Sequence, residues 1–197
     1  MCYNLDMIIL FGPAGSGKST QGKILAKRFG WKWLSVGQTI RDTGKFSDIL
    51  QKGELVDDQI VIDLMKKAMD MAEADGMNVI LDGYPRDVVQ AKWMAENMAE
   101  KIEGAIIFDV PEEELWKRIE IRGRSDDVRE VVKKRFDVFW DNIHEIVPIL
   151  TAAGISVKKM DGTGELDEVT ERLALKIEEF GIEVTDAEGY YLNEAEQ

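Results

Sequence analysis

The 197-residue sequence has one cysteine, Cys2, and one histidine, His144. A lone cysteine excludes a disulfide framework and any cysteine-based zinc site, so no structural zinc is expected. No apolar run is long enough to cross a membrane, and the N-terminus lacks the basic-then-apolar form of a secretory signal. Basic residues are scarce as well: 25 against 38 acidic ones, a net charge of −13. A nucleic-acid surface needs a basic face to displace counterions, and this balance argues against one. It does not argue against a nucleotide cleft, where a few arginines dominate the local field. Internal repeats and low-complexity linkers are absent too. With 45% apolar and 32% charged residues, the composition predicts a cytoplasmic, globular chain of one domain, residues 1–197.

What is present begins with Met7-Ile8-Ile9-Leu10-Phe11, an apolar run that reads as a strand buried on both faces. It opens into Gly12-Pro13-Ala14-Gly15-Ser16-Gly17-Lys18-Ser19-Thr20, which fits G-x-x-x-x-G-K-[ST] at every fixed position. The glycines let successive N–H groups turn inward and form a nest for phosphate oxygens. The segment from Gln21 to Phe29 reads as a helix, whose positive end points at the same oxygens. Lys18 can reach the terminal phosphates, and the Ser19 hydroxyl can ligate a bridging Mg²⁺. These residues imply a nucleoside triphosphate ligand.

Further along, strands alternate with amphipathic helices. Strands are expected at Lys32–Ser35, Met77–Leu81, Gly104–Val110 and Ile155–Met160. Helices are expected over Asp57–Ala74, Asp87–Lys101, from Pro111 onward, up to about Leu150, and over Asp167–Phe180. The stretch between Thr39 and Gly53 reads as polar and irregular, and Val184–Gln197 as a loosely held acidic tail. The pattern gives an α/β fold, a five-stranded parallel sheet flanked by helices with ligands at the strand carboxyl ends. Asp82, after the third strand, is placed to orient Mg²⁺ through water. Nine arginines occur, and Arg41, Arg86, Arg118, Arg122, Arg124 and Arg135 gather on the edge of the phosphate loop. Their planar, fixed-charge forks suit phosphoryl oxygens. Arg28, Arg129 and Arg172 read instead as solvated helix faces, and His144 as structural, since phosphoryl transfer needs no imidazole base.

With the phosphate loop, six more stretches carry a resemblance: Gly53-Glu54-Leu55-Val56, Leu81-Asp82-Gly83-Tyr84-Pro85-Arg86, Arg118-Ile119 with Arg122, Arg124-Ser125-Asp126-Asp127, Lys133-Lys134-Arg135 and Asp161-Gly162-Thr163. The chain resembles the adenylate kinases among the nucleoside monophosphate kinases, from the phosphate loop nearly to the C-terminus. The resemblance implies a P-loop kinase fold and the reaction Mg·ATP + AMP ⇌ 2 ADP without a covalent intermediate. It implies that Lys18, Arg86, Arg122, Arg124 and Arg135 carry catalysis. ATP would be held by Gly15, Ser16, Gly17, Lys18, Ser19 and Thr20, by Arg118 stacking on its base, and by backbone near Gly164. AMP would be held by Val36, Arg41, Leu55, Val56, Gly83, Arg86 and Gln90, with Gln90 reading the adenine edge.

Three departures bear on these expectations. Val36 stands where the family usually has a threonine, and it cannot donate a hydrogen bond near the AMP base. The monophosphate-binding insertion, about residues 36–65, is short. Only a vestigial turn, about 122–127, stands where relatives carry a lid. A lid excludes water on closure, so its loss implies either leakage as ATP hydrolysis or cover from a neighbouring copy of the chain. Trp31, Trp33, Trp93, Trp116 and Trp140 are candidates for such an interface, or simply core. The rival readings are a UMP/CMP or broad-specificity kinase, a P-loop kinase of another metabolite, and a non-catalytic nucleotide sensor.

Overall fold

The computed structural model describes residues 6–123 and 127–187. At its centre are five strands: β1 (Met7–Phe11), β2 (Lys32–Ser35), β3 (Val79–Asp82), β4 (Ile102–Asp109) and β5 (Val157–Asp161). They form one sheet in the order β2-β3-β1-β4-β5, and every neighbouring pair is parallel. This is the doubly wound α/β architecture that the alternation of strands and helices predicts. β1 is the middle strand, and Met7 to Leu10 have no exposed surface. Its unbroken apolar run follows from that position, because helices cover both faces of the sheet.

Successive β1 side chains point to opposite faces. On one side Ile8 and Leu10 join Leu25 and Phe29 of α1 (Lys18–Phe29) and Leu173 and Ile177 of α8 (Leu166–Glu178). On the other, Met7 and Ile9 meet Met65 and Met69 of α4 (Asp58–Ala74), Met94 of α5 (Val88–Asn97) and Ile143 and Ile146 of α7 (Arg129–Ala152). A smaller cluster, Leu115, Ile119, Val132 and Phe136, joins α6 (Glu112–Arg122) to α7.

Several boundaries differ from the sequence reading for identifiable reasons. Residues after Ser35 form two short helices, α2 (Val36–Asp42) and α3 (Ser47–Gln51). Val36 and Ile40, one turn apart, are both buried, so packing overrides a locally weak helix pattern. β3 starts at Val79, two residues later than the apolar run suggests, and just before it the Asn78 side chain accepts from the Asp6 N–H at 3.2 Å. It also runs one residue further, taking in Asp82. The α5 segment ends at Asn97, whose Nδ2 donates to the Trp93 carbonyl at 2.7 Å, and a 3-10 turn (Ala99–Lys101) follows.

Trp31 and Trp33, Trp93, and Trp116 pack against the three apolar clusters, while Trp140 is exposed. His144 lies on the exposed face of α7. The start of the acidic tail is held rather than loose. Ile182 and Val184 pack against α1 and α8, Arg28 donates to Asp186 at 2.6 Å, and the Ala187 N–H donates to the Arg28 carbonyl at 2.7 Å. Tyr190, Tyr191 and Leu192 lie outside the described residues.

Candidate active site

Strand register builds the floor of the site. Asp82 pairs with Leu10 on one side and Ser35 on the other, so β2, β3 and β1 finish level. The phosphate loop leaves from that edge. Gly15 (φ +82°) and Gly17 (φ +89°) both take left-handed backbone, and a Cβ on Gly15 would sit 2.8 Å from the Leu115 carbonyl oxygen. Only glycine meets both demands. Gly17 is the N-cap of α1 and supplies no side-chain cap, which leaves first-turn N–H groups for an anion.

Facing this loop is a cleft that opens to solvent, the concave form that small-molecule sites take. Lys18 and Ser19 line it from the loop, Asp82, Gly83 and Arg86 from the end of β3, and Arg41 from α2. Arg122 and Arg135 enter from α6 and α7, and Leu55 from the insertion. Five of the seven sequence-expected cations, Lys18, Arg41, Arg86, Arg122 and Arg135, therefore converge, although they come from five helices and loops. Lys18 Nζ donates to the Pro13 carbonyl at 3.2 Å, which turns it over its own loop. Burial, with Arg41 and Arg135 close by, pulls the Arg86 guanidinium down to about 10. That crowding of positive charge is costly in an empty cleft and favourable around phosphates.

Arg122 is clasped by both carboxylate oxygens of Asp127, with Nε to Oδ2 at 2.9 Å. Arg135 Nη1 lies 3.8 Å from the same carboxylate. Asp127 thus holds two arginines from different helices side by side. Arg124 lies outside the described residues.

The remaining expected site residues fall into two groups. Gly15, Ser16, Gly17, Thr20, Arg118 and Gly164 do not line this cleft. Arg118 donates to the Gly162 carbonyl at 3.0 Å and to the Ser16 carbonyl at 3.5 Å, tying the phosphate loop to the turn after β5. Arg172, which reads from sequence as a solvated face, braces that same turn. Its Nη1 donates to the Asp161 and Thr163 carbonyls at 2.7 and 2.9 Å. Thr163 donates its hydroxyl and N–H to the Asp161 carboxylate, holding it below the usual carboxylate range.

Val36, Val56 and Gln90 are buried behind the cleft wall. Gln90 Nε2 donates to Asp87 Oδ2 at 2.6 Å and Asp58 Oδ1 at 2.9 Å, while its Oε1 accepts the Arg86 N–H at 2.9 Å. Burial, then the adjacent Asp58 carboxyl, push Asp87 up to about 6. Because the folded value is raised, Asp87 contributes stability in full below about pH 4, and that contribution is lost as pH rises through 6. Thermal melts of the wild type and Asp87→Ser between pH 4 and 7 check this. The wild type's advantage should shrink toward pH 7, and a constant difference would contradict it.

Sequence reasoning missed one wall of the cleft. Val138, Phe139, Asn142, Ile143 and Ile146 of α7 line it beyond Arg135. Their spacing reads as an ordinary apolar helix face, and the only available signal was the polar Asn142 within it. The tip of the insertion reaches this helix. A Cβ on Gly53 would meet Val131 at 3.1 Å, and Lys134 pairs with Glu54 at 3.1 Å.

A fit to magnesium rests on Asp82. It is buried, and neither of its carboxylate oxygens has a hydrogen-bond partner. An orphaned hard anion on the cleft that Ser19 also lines suits Mg²⁺ with its retained waters.

Comparison with known proteins agrees with this geometry. The family model described as adenylate kinase matches residues 10–155. An adenylate kinase of Maricaulis maris is 36% identical over 187 residues, covering 87% of this chain and 98% of the relative. One from Thermus thermophilus is 35% identical over 181 residues, covering 84% and 94%. A third, from Mycolicibacterium vanbaalenii, is 38% identical over 180 residues, covering 86% and 97%. A phosphate loop capped by glycine, a cleft ringed by arginines and full-length relatives of one kind lead to one statement: this chain belongs to the adenylate kinase family of phosphotransferases.

Proposed function

We propose that the chain transfers the terminal phosphoryl group of ATP reversibly to AMP, giving two ADP, in the cytoplasm. The observation that carries this is the convergence of Lys18, Arg41, Arg86, Arg122 and Arg135 on one cleft. A nucleotide-binding module needs charge only where phosphates rest, whereas a transfer enzyme needs it around the group in flight. In this reading Arg41 and Arg86 hold the acceptor phosphate. Lys18, Arg122 and Arg135, with Arg124, surround the transferring group. Arg118 and the turn at Gly164 face the ATP base, and Val36, Leu55, Val56, Gly83 and Gln90 shape the acceptor side.

Ser19 would hold Mg²⁺ directly and Asp82 through water; when bound, the ion offsets phosphate charge. The protein groups do the rest. They align donor and acceptor in line, and their fixed dipoles and charges need no reorganisation at the moment of transfer. Residues 123–128 alone link α6 to α7, which supports a lidless form. The insertion tip at Gly53–Leu55, resting on α7, is then the remaining cover, unless a second copy of the chain supplies more.

ADP formation from Mg·ATP with AMP, UMP, CMP and GMP in turn, beside a no-acceptor control, tests the reading. Turnover should be fastest with AMP. Preference for a pyrimidine nucleotide would move the function to a UMP/CMP kinase, and binding without turnover to a sensor. ATP loss in the control measures what the missing lid costs.

A further inference from the structure

Gln90 is held from two sides that differ in kind. Asp58 is the first residue of α4 and belongs to the insertion. Asp87 is the N-cap of α5 in the core, and its Oδ1 accepts the Gln90 N–H at 2.9 Å while its Oδ2 accepts from the Gln90 side chain at 2.6 Å. If the insertion shifts around an acceptor, the bond to Asp58 goes with it; the bond to Asp87 is built into the start of the helix that carries Gln90. Both Nε2 hydrogens are committed to carboxylates, and Oε1 has one lone pair occupied by the Arg86 N–H. A carbonyl oxygen has two. Tyr84, also fully buried, has a hydroxyl with no partner. The two acids lie near enough to raise that hydroxyl above its ordinary range, after burial itself.

We propose that Asp87 is a positioning residue for acceptor-base selection: it fixes the Gln90 amide with its nitrogen inward, so that only the carbonyl oxygen is offered to a base. This rests on the reading that Gln90 faces the acceptor base. A lone acceptor favours bases with an exocyclic amine at the matching edge, adenine and cytosine. It disfavours bases with a carbonyl there, uracil and guanine, since two acceptors repel. The buried Val36 offers no hydroxyl to add a second criterion.

The test measures KM and kcat for AMP, CMP, UMP and ATP in the wild type, Asp87→Ser, Asp87→Asn and Gln90→Ala. Serine and asparagine both retain N-cap capacity, so folding should survive in each. Asparagine has the same shape as aspartate but sets an NH₂ where the amide nitrogen of Gln90 needs an acceptor. A residue that only caps the helix would tolerate it silently. We expect Asp87→Asn to lower the AMP-over-UMP ratio of kcat/KM by about tenfold or more, the scale of a hydrogen bond to a charged group. The change should fall on acceptor KM with ATP KM unmoved, and Asp87→Ser should show a smaller effect of the same sign. An unchanged ratio in Asp87→Asn would overturn the proposal. If Gln90→Ala alone relaxes selection, the inference fails while the kinase reading stands. If the wild type phosphorylates no nucleoside monophosphate, the function itself fails.

Discussion

Lys18→Met should reduce kcat for ADP formation by about 10²–10³-fold, the usual consequence of deleting one preorganised group that meets charge developing in the transition state. Among the described residues, Lys18 is the one lysine on the wall of a cleft otherwise served by arginines. Its ammonium is turned over the phosphate loop by the Pro13 carbonyl. A compact, mobile charge can follow a phosphoryl group as it moves, which the clasped fork of Arg122 cannot do as easily. The variant should keep its melting temperature, because the Lys18 side chain stands at the cleft and not in an apolar cluster. Steady-state kinetics and a thermal melt on the same sample check both halves. Loss of less than about tenfold would mean that the arginines alone stabilise the transferring group.

The second large effect concerns stability. Leu81→Ala should cost about 2–5 kcal/mol, the range for truncating a fully buried leucine in a core that relaxes only partly. Leu81 has no exposed surface and lies in the cluster beneath α4, α5 and α7. In β3 it is paired with Ile9 on one side and Leu34 on the other. For a chain of this size the loss lowers the melting temperature by several degrees, on the order of 2–4 °C per kcal/mol. Because Leu81 immediately precedes Asp82, a relaxed β3 should also raise the concentration of Mg²⁺ needed for half-maximal activity. A calorimetric scan and a magnesium titration of ADP formation read the two effects. A melting temperature equal to that of the wild type would show that the cavity collapses without cost.

How far the sequence speaks depends on whether a feature is local. β1 has the bounds its residue run suggests, because burial on both faces demands continuous apolar character. The phosphate loop is equally legible, since each glycine answers a backbone requirement within a few residues. α2 was hidden because its helical state depends on Val36 and Ile40 finding the core, a tertiary fact. The α7 wall was hidden for the opposite reason: its apolar spacing is what any packed helix shows, whether it faces a core or a cleft. The roles of Asp127 and Arg172 were invisible in another way. One joins residues of two helices and the other braces a turn nine residues upstream, and no short motif encodes such reach. The state of Gln90 is similar, because Asp58 meets it across 32 positions.

The seating of α1 carries a last consequence, one of timing. The helix that supports the phosphate loop is among the first segments synthesised, yet its apolar face is covered by α8 and by Ile182. Its far end is tied down through Arg28 by Glu171 and Asp186. A nascent chain still short of residue 166 has the whole G-x-x-x-x-G-K-S signature and the strands beneath α1, but not the outer cover that α8 and Ile182 supply. The packing around the phosphate-loop helix is therefore completed only by the last segments to be synthesised.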